Sequence, residues 1–138
     1  MARSDRFSGI TVQFFVPDIR AGIEFYSRLF GRPPDFKPHE DFKEWEVFDN
    51  FWLQIGQGEP RPTYPLRLRV EDIDAQRERV ERDVGARCSA ITRIPGLVAF
   101  CNFSDQWGNN LGLYQRLFVG GVPRGPGGSF HDWEDAKS

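Results

Sequence analysis

The chain has 138 residues, of which 39% are hydrophobic, 14% aromatic and 28% charged. That composition can fill the core of one domain or of two small modules, and it excludes both a large multidomain enzyme and a mainly disordered protein. Eighteen Lys and Arg against twenty Asp and Glu leave a formal charge of −2, without the basic excess of a nucleic-acid surface, so no nucleic-acid partner is expected.

No apolar run approaches the roughly 20 residues of a bilayer span, and the start MARSDRFSG lacks the apolar stretch of a secretory signal. The expected location is cytoplasmic, with no membrane partner. Cys88 and Cys101 form neither a CxxC pair nor a disulfide framework, and are expected to be reduced, buried and structural.

In chain order, ITVQFFV at 10–16 is a β-rich run that ends at Pro17-Asp18. Ile19, Ile23, Tyr26, Leu29 and Phe30 then recur at helical spacing as far as Gly31. The stretch RPPDFKPHEDF carries three prolines and predicts a loop, after which 43–48 and 51–55 read as strands joined by an Asp49-Asn50 turn. QGEPRPT is a short linker. Beyond it, 66–70 reads as a strand, Asp72 as the cap of a helix running to about Val84, and Gly85 as its stop. The closing strands fall at 97–103 and 110–114. The final stretch VGGVPRGPGGSFHDWEDAKS has no period and predicts a loose tail, with Phe130 and Trp133 as the residues that could dock it.

A constant offset of 54 aligns Val16-Pro17-Asp18-Ile19 with Val70-Glu71-Asp72-Ile73, and Gly31 with Gly85. The repeat predicts an α+β domain over 8–118 built from two tandem βαβββ modules, 8–57 and 64–118, followed by a tail at 119–138. Half-sheets that each bury one face are expected to close on one another and leave a concave surface.

The segments VPDIRAGIEFYSRLFG and FSDQWGNNLGLYQ resemble the vicinal oxygen chelate superfamily, which holds glyoxalases, extradiol dioxygenases, fosfomycin-modifying enzymes and bleomycin-binding resistance proteins. The first matches that family's strand-to-helix corner. The second matches its late turn, usually Asp-Pro-x-Gly-Asn, with Gln106 in the Pro place. Both motifs speak for fold rather than chemistry. The resemblance implies a cup-shaped mixed sheet and, in the metal-bearing members, a divalent ion held by His, Glu or Gln at four equivalent strand positions.

Carried over by position, that quartet is Thr11, Gln54, Pro65 and Gly112. Proline and glycine bring no donor atom, and one amide with one hydroxyl is a poor set for a transition ion. No metal and no cofactor are therefore expected. His39 and His131, the two histidines, read as solvated side chains.

Strand alternation sends Thr11, Gln13 and Phe15 to one face of the first strand, and Arg67 and Arg69 to one face of its duplicate. With Trp52, Gln54 and Tyr114 they form the candidate ligand-binding set. Two guanidiniums can hold a carboxylate or phosphate, or can instead pair with Glu44 and Glu46. Trp45, Trp52 and Trp107 can cage a planar ligand or simply pack. No local motif names a nucleophile, a base or a phosphate loop, so catalytic residues are not assignable.

The preferred reading is a homodimeric, metal-free protein of this fold that captures a small organic or antibiotic-like molecule. The alternative is a lyase, isomerase or dioxygenase-like enzyme with an atypical site. A third reading is a scaffold dimer with a vestigial cup.

Overall fold

The structure, a computed structural model, describes residues 6–61 and 65–118. The tail with Phe130, His131 and Trp133 lies outside those residues, as do 62–64 of the linker. Two units result, one formed by the first half together with Asp105–Asn109, the other by the remainder of the second half.

In the first unit the chain runs β1 (Ile10–Val16), α1 (Ile19–Phe30), β2 (Phe36–His39), β3 (Phe42–Phe48) and β4 (Phe51–Gln57), in the sheet order β1-β4-β3-β2. The pair β1–β4 is parallel, and β3 is antiparallel to both β4 and β2. α1 starts where an Asp18 carboxylate oxygen accepts from the Arg20 amide at 3.0 Å, and it stops at Gly31, whose φ of 73° is open to glycine at little cost. The helix lays Phe25, Tyr26 and Leu29 on Phe14, Leu53 and Ile55 of the sheet, all buried. Gly22 permits this close approach: a Cβ there would stand 2.8 Å from a Val16 methyl.

The proline-bearing stretch read as loop contains a strand, β2. It is an edge strand, where a proline's missing N–H breaks no ladder, and its pairing with β3 shifts register between Phe36 and His39. Local composition shows the prolines. It does not show that β3 has an open edge.

The second unit repeats the plan with β5 (Leu66–Arg69), α2 (Ile73–Arg79), β6 (Thr92–Ile94), β7 (Val98–Ser104) and β8 (Asn110–Arg116), in the order β5-β8-β7-β6. α2 continues into one wide π-helical turn, Val80–Val84, and ends at Gly85 with φ 81°. Strand β6 escaped the sequence reading because three residues are too few to show a period. Its side of the sheet packs Ile73, Val80, Ala99, Cys101, Leu111 and Leu113, all buried.

The offset of 54 is thus a structural repeat. The Asp72 carboxylate caps its helix as Asp18 does in the first unit, accepting from the Ala75 amide three residues on where Asp18 accepts from Arg20 two residues on. Each helix also takes a cap that sequence reading missed: the Gln57 side chain accepts from the Ile19 amide at 3.2 Å, and Gln115 from the Ile73 amide at 3.0 Å. No helix among the described residues is long and apolar enough to cross a membrane.

Candidate functional site

Because successive strand residues face opposite ways, each sheet has one face turned toward its helix and one turned away from it. In the first unit, β1 and β4 register Thr11 beside Trp52, Gln13 beside Gln54 and Phe15 beside Gly56, and β3 adds Glu46, Glu44 and Phe42 to the same rows. All five first-module candidates therefore share the face away from α1. Thr11 and Gln13 are exposed, while Phe15, Trp52 and Gln54 are half-buried. Gly56 lets the Gln13 side chain and the Phe42 ring close over it: an added Cβ would lie 3.3 Å from Gln13 Nε2 and 2.9 Å from the ring. Trp45 points the other way. It is fully buried against Tyr26 and Phe30 and donates its indole N–H to the Arg32 carbonyl at 3.0 Å, so it belongs to the core.

In the second unit β5 and β8 register Arg67 beside Gly112 and Arg69 beside Tyr114, and β7 adds Asn102 and Phe100 in the same two rows. The three second-module candidates share this face. Arg67 does not project freely. Its Nε donates to Asn102 Oδ1 at 3.0 Å and its guanidinium lies 4.5 Å above the Phe100 ring. It reaches them by crossing Gly112, where an added Cβ would stand 2.8 Å from Arg67 Cγ and 2.9 Å from Asn102 Oδ1. Among the described residues neither Arg67 nor Arg69 joins an ion pair within its own unit. Asn102 and Phe100 were not singled out from the sequence. Alternation in VAFCNFS puts them on one face, but only the β7–β8 register sets them beside Arg67.

The residues at the carried-over metal positions do not fit a divalent ion. The repeat makes Gln54 and Gly112 equivalent, since each stands beside the residue at the same offset, Gln13 and Arg67. Thr11, Gln54, Pro65 and Gly112 hold too few donors. Moving to the paired positions Gln13 and Arg67 gains an amide and a guanidinium, and the positive charge opposes a cation. Among the described residues no three His, Cys, Asp or Glu side chains converge on a metal-sized space. His39 is a surface residue whose Nδ1 accepts from the Asp41 amide at 3.1 Å.

Nucleophilic chemistry finds no better footing. Burial pushes the Cys88 thiol up to about 11, with the Cys101 and Glu81 charges adding to the effect, and burial also raises Cys101. Both stay protonated at neutral pH, the opposite of an activated thiolate. A groove of about 590 Å³ lies on the helix side of the second unit, but its charged groups are already engaged: Arg93 with Asp74, and Arg77 with Glu81 and the Cys88 and Ser89 carbonyls.

The late turn proves structural. Asp105 is buried, and its two oxygens accept from the Tyr26 hydroxyl at 2.8 Å, from Asn109 Nδ2 at 2.7 Å and from the Trp107 and Asn109 amides. Asn109 Nδ2 also reaches the Phe15 carbonyl. Trp107 enters this turn through its backbone amide.

Neither a protein-family profile nor a curated protein matches the sequence. Solved structures do. A glyoxalase/bleomycin resistance protein from Catenulispora acidiphila superposes with a TM-score of 0.66 at 23% identity, over 78% of this chain and 96% of that one. A glyoxalase-related enzyme from Clostridium phytofermentans gives 0.64 at 16%, over 78% and 94%. The fosfomycin resistance protein FosX from Listeria monocytogenes gives 0.64 at 19%, over 83% and 94%. With its paired βαβββ modules, the chain has the fold of these glyoxalase/bleomycin resistance structures.

Proposed function

We propose that the protein binds a small organic molecule on the sheet faces turned away from its helices and does so without a metal ion. The observation that carries this reading is at Gly112, where the fold's metal-bearing members would place a ligand and this chain lays an arginine stem instead. The faces turned away from the helices carry groups suited to recognition rather than to Lewis-acid chemistry: half-buried Phe15 and Trp52 with the amides Gln13 and Gln54 in the first unit, and half-buried Tyr114 in the second. The neighbours named for resistance to bleomycin and fosfomycin make antibiotic-sized organic molecules the first class to try.

A thermal-shift panel of neutral, cationic and anionic aromatic compounds tests this. A ligand at a hundred times its Kd adds about 2.7 kcal/mol to stability, which raises Tm by on the order of 10 °C for a chain of this size. Protein dialysed against EDTA is expected to keep that shift, and titration with Zn²⁺, Ni²⁺ or Mn²⁺ to show no tight stoichiometric site. A shift that appears only with added metal overturns the reading.

A further inference from the structure

The sheet face of the second unit turned away from α2 has a chemical character that its individual residues do not reveal. Arg67, Arg69 and Arg116 lie on it with Asn102, Asn110, Phe100 and Tyr114, and the β5, β7 and β8 positions of that face include no acidic side chain. Arg67 and Arg69 are two residues apart on one strand, hence about 7 Å from each other along the sheet. Like charges so placed repel, and both are exposed without a carboxylate partner among the described residues.

An unpaired arginine normally samples many rotamers, and fixing it costs entropy. Arg67 is fixed before any ligand arrives. Glycine at 112 opens the path its stem follows, Asn102 holds Nε at 3.0 Å, and the Phe100 ring supports the guanidinium plane at 4.5 Å. A side chain of any size at 112 would collide with that stem and with the Cys101 carbonyl, 2.7 Å from an added Cβ. With Nε committed, the two Nη groups have no hydrogen-bond partner among the described residues and remain as a planar fork of donors. A fork of this kind matches the two oxygens of a carboxylate or phosphate.

We infer that Arg67, laid across Gly112 onto Asn102 and Phe100, is a preorganised oxyanion receptor, and that the ligand is an organic anion carrying a carboxylate or phosphate on a planar body. The inference deepens the binding function proposed above and rests on it. Arg69 adds charge from the neighbouring row, and Tyr114, registered beside Arg69 and Phe100, offers an aromatic surface to the planar part. Asn102 and Gly112 are positioning residues that act through Arg67.

Three probes of one shape separate the possibilities: benzoate, phenyl phosphate and the neutral benzamide, titrated into the full chain and followed by ¹H–¹⁵N NMR, including the Arg67 Nε–H resonance. The expected result is that one or both anions bind at least about tenfold more tightly than benzamide, the margin of a charge-assisted fork. Benzoate alone points to a carboxylate ligand, and phenyl phosphate alone to a phosphorylated one. Arg67→Ala is expected to erase the preference while benzamide binding persists. Arg67→Lys should restore only part of it. Asn102→Leu should weaken anion binding severalfold and shift the Nε–H resonance in the free protein, a signature that simple loss of stability does not give.

Equal binding of all three probes, or an anion preference that survives Arg67→Ala within twofold, overturns the inference and leaves small-molecule binding standing. If no compound of any charge binds here or in the thermal-shift panel, both fall together.

Discussion

At the scale of single residues, Asp105 is a buried carboxylate with four donors aimed at it, and each donor removed leaves a lone pair without water or protein. Tyr26→Phe removes one. It is expected to cost about 1–3 kcal/mol in urea denaturation, because the acceptor stays buried when its partner goes. The same contact sets a pH dependence. Burial first, then the Asp105 charge and hydrogen bond, hold the Tyr26 hydroxyl far above its ordinary range. A raised native pKa means that the unfolded chain releases the proton first, so this contribution is complete below about pH 10 and is lost as pH climbs beyond it. Cys88, raised to about 11, acts with the same sign from its ordinary thiol value near 9 upward. Stability is therefore expected to be insensitive to these groups at neutral pH and to fall above pH 9. Comparing Tyr26→Phe with the parent chain by denaturation in steps from pH 8 to 11 should show a shallower fall in the variant.

At the scale of elements, the two modules solve one problem twice. A helix leaving a parallel strand must satisfy its first amides, and each module uses both a local Asp and a distant Gln from its last strand. Gln115→Ala is expected to lower stability by about 1 kcal/mol, since the Ile73 amide is partly buried and loses its acceptor. Asp72→Ala should cost a similar amount. If the two caps serve one helix end, the double variant will fall short of the sum. Thermal or urea unfolding of the three variants measures this. The Asp caps and Gly stops were legible because their chemistry is local. The Gln caps were not, since 38 and 42 residues separate donor from acceptor. Strands β2 and β6 were missed for a related reason: a short edge strand exists only through its neighbour.

At the scale of the whole molecule, the unit boundaries do not follow chain order. Asp105–Asn109, reached late in the sequence, belongs with the first unit, where Asp105 meets Tyr26 and Asn109 meets the Phe15 carbonyl. A fragment of residues 1–63 therefore lacks the acceptor for a tyrosine that is fully buried in the intact chain. Expressed alone, that fragment is expected to lose cooperative thermal unfolding, read by circular dichroism, and amide dispersion in its NMR spectrum. Adding 64–138 in trans should restore part of both. A cooperative melt from the fragment alone would show that the first half does not need the turn.

The sequence by itself determined the repeat, the helix ends and the alternation that sorts Thr11, Gln13 and Phe15 from Val12, Phe14 and Val16, because period and capping act over a few residues. It also determined how poor the carried-over metal positions are in donors, since residue type alone decides what can ligate. Only the tertiary structure decided what Arg67 does. Its partners, Gly112, Asn102 and Phe100, come from two other strands, and the sheet register that brings them together is fixed by burial of the opposite face rather than by anything within five residues of the arginine.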